Sequence, residues 1–200
     1  MLLAVDTSGA TAVAVVAADG AVIAEAVSDD PRGHAESIGP LLQQVLAGVV
    51  RERFTGVAYG VGPGPYTGLR VGIAAARAAA LALRVPELPV LSHDAVALAA
   101  IDDGAAPPFA VVADAKRRER YWTVYRALDA AGLPYRDGEP QVGPDTDLPD
   151  LPRVEGAVSA VLLGRVVASR LAAGLQLEPP DARYLRSADV TLSTPKRVGA

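Results

Sequence analysis

Residues 62–72 read Gly62-Pro63-Gly64-Pro65-Tyr66-Thr67-Gly68-Leu69-Arg70-Val71-Gly72, between the apolar run Thr55–Val61 and an alanine-rich run ending at Arg84. The order is strand, tight turn, helix. Gly62 and Gly64 allow backbone angles closed to other residues, and Pro63 and Pro65 preset φ near the value a helix start requires. Amides at such a turn point forward and can hold a phosphate. The same turn also serves to start a closely packed helix. A dinucleotide fingerprint would need glycine at position 67, where Thr67 stands, and no lysine follows to complete a G-x-x-x-x-G-K-[ST] loop. Positions 64, 68, 72, 76 and 80 are Gly, Gly, Gly, Ala and Ala, which on a helix makes a smooth ridge for close approach of another backbone. Glycine in a helix costs roughly 1 kcal/mol relative to alanine, so close contact is the expected compensation. Arg70, Arg77 and Arg84 mark a single narrow polar stripe. The stretch reads as a packing or interface helix ahead of a phosphate site.

Two hundred residues, half of them hydrophobic and few aromatic, describe a globular chain with cores of Ala, Val and Leu. No cysteine is present, which fits a reducing compartment and excludes disulfides, thiol catalysis and cysteine metal sites. Met1-Leu2-Leu3-Ala4-Val5-Asp6 meets an acid too soon for a signal peptide, and no apolar stretch is long enough to span a bilayer. A net charge of −4 gives no global attraction to nucleic acid. The expectation is a cytoplasmic protein with no membrane segment.

Leu2–Asp6, Thr11–Ala17 and Ala21–Val27 read as strands joined by Thr7-Ser8-Gly9 and Asp19-Gly20. Asp29 to Gly33 is a loop. Ile38, Leu41, Leu42, Val45, Leu46, Val49 and Val50 keep helical spacing, and Pro40 is tolerable there in the first turn. A short strand near Val90-Leu91 precedes a helix from about Asp94 to Ile101. Asp102 to Pro108 marks a boundary, giving lobes 1–103 and 104–200. Beyond it, Phe109–Val112, Arg120–Arg126 and Val158–Leu163 read as strands, 127–157 as long loops and Val166–Leu175 as a helix. The order implies an α/β architecture with a mixed sheet.

Asp6-Thr7-Ser8-Gly9 has two readings: a turn offering amides and hydroxyls to a phosphate, with Asp6 holding a metal or water, or an ordinary capped hairpin. His34 reads as a helix-start residue. His93, between Ser92 and Asp94, reads as a capping residue, with Ser92 the N-cap. No H-x-x-x-H is present for a metal site. Lys116-Arg117-Arg118-Glu119-Arg120-Tyr121-Trp122 is the one dense basic cluster. It reads as a charged turn leading into a strand, with RNA-backbone contact and base stacking as the alternative.

Taken together, Asp6-Thr7-Ser8, His34-Ala35-Glu36 with Pro40-Leu41-Leu42, the glycine/proline block, Asp114-Ala115-Lys116-Arg117 and Tyr184-Leu185-Arg186 resemble the bacterial TsaB (YeaZ) family. Pro65-Tyr66 stands where that family usually has serine and phenylalanine, and Ala35 where serine is common. The resemblance implies the two-lobed actin-like ATPase (ribonuclease H-like) fold, mixed sheets flanked by helices, without catalysis, metal or cofactor. The catalytic relative, the threonylcarbamoyl transferase TsaD, carries a metal-binding H-x-x-x-H, and the corresponding places here fall near Ser92 and Val96. It further implies dimerisation with TsaD, joined by the nucleotide-binding TsaE, to support N6-threonylcarbamoyladenosine formation beside the tRNA anticodon. The tRNA is then met only through the complex, and the chain pairs with itself when alone. The expected partner interface takes Leu42, Val45 and Val49 from the first helix. From the second it takes the ridge Gly64, Gly68, Gly72 and Ala80 with Tyr66, Arg70, Ile73 and Arg77. Asp6, Thr7, Ser8 and Gly9 would be a vestigial phosphate loop. Two rivals stand beside this: an ATP-dependent phosphotransferase of the same fold, and a direct tRNA-binding module at Lys116–Trp122.

Overall fold

Leu2–Asp6 (β1) and Thr11–Val16 (β2) are buried along their whole length, as unbroken Leu/Ala/Val runs require of central strands. They pair antiparallel from Leu2↔Val16 to Asp6↔Ala12, and Val22–Ser28 (β3) continues antiparallel on β2. Gly56–Gly60 (β4) lies parallel to β1, and Glu87–Val90 (β5) parallel to β4. The sheet order is β3-β2-β1-β4-β5. This computed structural model describes residues 1–30 and 33–186; Pro31 and Arg32 of the expected loop, and residues 187–200, lie outside the described residues.

Strand alternation sends side chains to opposite faces. Leu3, Val5, Val13 and Val15 pack against Ile38, Leu41 and Val45 of His34–Leu46 (α1) and Leu69 and Ile73 of Tyr66–Leu83 (α2). On the other face, Leu2, Ala4, Ala14 and Val16 meet Ala95 and Leu98 of Ser92–Asp102 (α3) and Leu163, Val166 and Val167 of Ala160–Ala172 (α4). A second sheet holds Phe109–Asp114 (β6), Glu119–Leu128 (β7), Pro134–Arg136 (β8), Gln141–Pro144 (β9) and Arg153–Val154 (β10). Its order is β10-β6-β7-β8, with β9 also on β7, and Phe109, Val111 and Tyr125 pack on Val96 and Ala97 of α3. Strands of the two sheets come from either side of Gly104. Helix α4 follows the second sheet in sequence yet covers the first, so the half beginning at residue 104 is not closed on itself. Two mixed sheets flanked by four helices, with this strand order, make the α/β actin-like fold. Among the described residues, no helix is long and apolar enough to cross a membrane.

Several local expectations need correction. Val158–Leu163 is not a strand: Ser159 Oγ accepts the Leu162 amide at 3.3 Å and caps α4, which starts at Ala160. A short apolar run buried on most sides has no period to separate strand from helix. Pro40 lies in the second turn of α1, because the helix begins at His34. Pro40 and Glu36 are both exposed, and proline there removes the amide that would bond the Glu36 carbonyl. Short strands β8, β9 and β10 occupy the stretch read as loops.

The ridge of α2 faces its own sheet. A Cβ on Gly64 would lie 2.8 Å from Ser8 Cβ, one on Gly68 2.6 Å from Thr7 O, and one on Gly72 2.1 Å from Thr7 Oγ1. The Thr7 hydroxyl donates to Gly68 O at 2.7 Å and accepts from Gly72 N at 3.0 Å. These are the two groups an undisturbed α-helix joins to each other. Ala76 and Ala80 continue the ridge into the core. Gly64, Gly68, Gly72, Ile73, Ala80 and, on α1, Val45 are therefore buried within this chain and unavailable to a partner. The close contact that compensates the two helix glycines, Gly68 and Gly72, is intramolecular, as is that of Gly64 just before the helix. Replacing Thr7 by valine keeps the shape and removes the bridging hydroxyl. It should lower unfolding stability by about 1–3 kcal/mol, read from urea unfolding, whereas Thr7→Ser should largely retain it.

Candidate functional site

The end of β1 is closed on itself. Asp6 Oδ1 accepts from the Ser8 amide at 2.8 Å and the Ser8 hydroxyl at 2.6 Å, and Oδ2 accepts from Ser92 Oγ at 2.6 Å. Burial pushes the Asp6 carboxyl above its ordinary range, opposed by these hydrogen bonds. Ser92 Oγ also accepts from Gly62 N at 3.2 Å, so Ser92 joins two strand ends, and Leu91 is the N-cap of α3 instead. Gly60 is forced to be glycine here, since its Cβ would lie 1.8 Å from Asp6 Oδ2. At the expected phosphate loop, the side chains of Asp6, Thr7 and Ser8 and the Ser8 amide are hydrogen-bonded inside the chain. Gly9 is exposed, and a Cβ there would meet nothing within 4 Å.

Both histidines are buried. His34 Nδ1 lies 2.8 Å from Thr11 Oγ1, tying α1 to β2. His93 is not a surface cap: its Nδ1 lies 2.9 Å from Thr123 Oγ1 of β7, and its Nε2 has no partner among the described residues. It lines a cavity of about 70 Å³ between the sheets, with Ser8, Pro63 and Tyr121. Burial lowers its pKa from 6.5 to about 3, so it is neutral. Among the described residues, no three His, Cys, Asp or Glu side chains converge as a metal site.

What remains open is the face of α2 opposite the ridge. Thr67, Arg70, Ala74, Arg77, Ala78, Leu81 and Ala82 are exposed, with Leu81 at 81%. The Arg70 guanidinium stands 4.7 Å over the Tyr66 ring, and Tyr66 meets Tyr184 at 4.7 Å. Arg77 pairs with Glu87 at 3.2 Å and donates to Pro180 O at 2.8 Å. Ala35, Glu36, Gly39, Pro40, Gln43 and Gln44 are the exposed residues of the adjacent α1 and Leu42 is half-buried, as is Val49, which lies beyond the helix end at Leu46 and not in the helix as expected. Arg84 caps α2 in a left-handed conformation, so the polar stripe is only Arg70 and Arg77. The C-terminal segment, with no role assigned from sequence, crosses this end of the molecule. Glu178 N donates to Pro89 O and Arg183 N to Val61 O.

The basic cluster is the turn between β6 and β7. Lys116, Arg117 and Arg118 all have positive φ, at 63°, 53° and 65°. That conformation costs an ordinary L-residue roughly 1–2 kcal/mol. Tyr121 and Trp122 are buried, so neither can stack a base.

A family model described as TsaD, tRNA N6-adenosine threonylcarbamoyltransferase, matches residues 15–133. The chain belongs to the TsaB/YeaZ family. The tRNA threonylcarbamoyladenosine biosynthesis protein TsaB of Escherichia coli is 32% identical over 127 residues, covering 62% of this chain and 54% of that protein. An uncharacterized protein of Mycobacterium leprae is 38% identical over 155 residues, 74% of this chain and 40% of that one. Among solved structures, YeaZ from Pseudomonas aeruginosa matches with 26% identity and a TM-score of 0.76, over 92% of this chain and 99% of that one. The chain spans about half the length of the curated family relatives it matches.

His93 provides a pH signature. Its pKa is depressed by folding, so its contribution is present above pH 6.5 and is lost as pH falls toward 3. Over that window it should remove about 1.4 kcal/mol of stability per pH unit. A His93→Gln variant should show a flatter dependence in urea unfolding between pH 7 and 4; identical slopes would refute the assignment.

Proposed function

We propose that this chain is a non-catalytic subunit of a tRNA threonylcarbamoyladenosine synthesis complex. In this reading it pairs with a TsaD-like transferase, a TsaE-like nucleotide-binding protein joins that pair, and tRNA is met through the complex. The observation that carries the proposal is the outward face of α2, where Ala74, Ala78, Leu81 and Ala82 lie exposed. Small side chains allow two partner helices to approach closely, and an exposed leucine supplies the apolar anchor. Arg70 and Arg77 are exposed and Tyr66 half-buried on α2, whereas Gly64, Gly68 and Gly72 are buried within the chain. The same face pairs with a second copy when the transferase is absent. The internal hydrogen bonding of Asp6, Thr7 and Ser8 favours a subunit role over an ATP-dependent phosphotransferase.

Ala78→Arg combined with Leu81→Asp should weaken association with the transferase by roughly 30-fold or more. The unfolding midpoint should stay unchanged, because both residues are exposed in the isolated chain. Analytical ultracentrifugation reads the first and thermal unfolding the second. In reconstituted transfer with TsaD- and TsaE-like proteins, omitting the chain should abolish or strongly reduce activity. Transfer indifferent to its presence would overturn the proposal.

A further inference from the structure

We infer that Arg70, stacked on Tyr66, takes a carboxylate side chain of the partner subunit at the groove between α2 and the C-terminal segment; the inference rests on the function proposed above. Arg70, Ala74, Arg77, Ala78 and Leu81 follow at helical spacing along the open face of α2. Beside that face runs a groove of about 460 Å³, with Ile73, Ala74 and Ala182 as apolar walls and Arg70, Arg77 and Asp181 as its charged groups. Its far wall is fastened in place: Arg183 N donates to Val61 O at 2.7 Å, and Arg77 donates to Pro180 O at 2.8 Å.

The two arginines differ in what they hold. Arg77 is committed to Glu87 at 3.2 Å and to the Pro180 carbonyl. Arg70 makes no hydrogen bond or ion pair among the described residues. Its guanidinium stands 4.7 Å over the Tyr66 ring, and Tyr184 backs that ring at 4.7 Å. Stacking covers one face of the guanidinium plane and leaves the N–H edges, the fork that grips a carboxylate bidentately. A guanidinium held this way also has less freedom to lose on binding. Arg70 lies one turn from Ala74, at the end of the apolar strip Ala74, Ala78 and Leu81, so a partner seated on the strip reaches it. Covering a cation without supplying an acid leaves it desolvated and unpaired, which is costly. Asp181 lines the groove yet pairs with neither arginine, so the acid is left for the partner to bring. The apolar walls and a net charge of −4 suit a protein side chain over a polyanion.

The test uses the complex of this chain with the TsaD-like transferase. Arg70→Gln should raise the dissociation constant roughly 10- to 100-fold by titration calorimetry. The unfolding midpoint of the isolated chain should not move, since Arg70 is exposed. Arg70→Lys keeps the charge without the fork and should recover only part of the loss. Treated with a carbodiimide, the Arg70→Lys complex should form an amide cross-link from position 70 to an Asp or Glu of the transferase, located by mass spectrometry. A cross-link to Asp181 alone would overturn the contact. Weaker tRNA binding by the Arg70→Gln complex, at unchanged affinity for the transferase, would assign Arg70 to a phosphate and overturn it too. If the wild-type chain neither binds the transferase nor alters transfer, the proposed function falls and this contact with it. If wild type binds and Arg70→Gln binds equally well, only this contact falls.

Discussion

The two hydroxyls and one carboxyl at the end of β1 hold the first lobe together. Thr7 inserts its hydroxyl between the Gly68 carbonyl and the Gly72 amide, fixing α2 against the sheet, while Asp6 reaches Ser92 at the start of α3. Both groups are buried, so each hydrogen bond missed would cost about 1–3 kcal/mol. That constraint dictates the neighbours. The backbone must come close enough for a threonine to bridge a helix, which leaves no room for a Cβ at positions 60, 64, 68 or 72.

The same bonds engage the side chains of the loop that follows β1. A phosphate would compete there with Asp6 for the Ser8 amide and hydroxyl, and with α2 for the Thr7 hydroxyl. Turning the small-residue ridge inward places Arg70, Arg77 and Leu81 outward, because residues four apart share a face and the arginines lie on the opposite side. Electrostatics and packing thus agree on one orientation of the helix. The open face that results is smooth without being a glycine seam.

The lobes are tied by buried polar contacts as well as by packing. Tyr125 of β7 donates to Asp94 of α3 at 2.7 Å, and Arg170 of α4 closes on the same carboxylate at 2.7 Å. The C-terminal segment adds a second tie, in which Glu178 holds Arg136 bidentately and Arg183 at 3.1 Å. The chain after β10 therefore refastens both the second sheet and the strand ends of the first. Removing Arg170 would leave the buried Asp94 carboxylate without its ion-pair partner, which is costly.

The sequence alone determined most of the first lobe: unbroken apolar runs gave β1, β2 and β4, the helical period gave α1 as far as Leu46 but wrongly carried it on to Val49 and Val50, and the glycine/proline turn gave the start of α2. Local backbone chemistry and periodicity suffice there. It also held a signal for the orientation of α2 that the glycine spacing obscured, since arginines at 70 and 77 already marked the solvent side. Tertiary structure decided the rest. Whether a small residue accepts a neighbour from its own sheet or from another protein depends on which face meets that sheet, and no spacing rule contains this. The fate of His93, the capping of α4 by Ser159 and the return of residues 178–186 likewise arise from contacts between residues distant in sequence, where burial is settled by the assembled core.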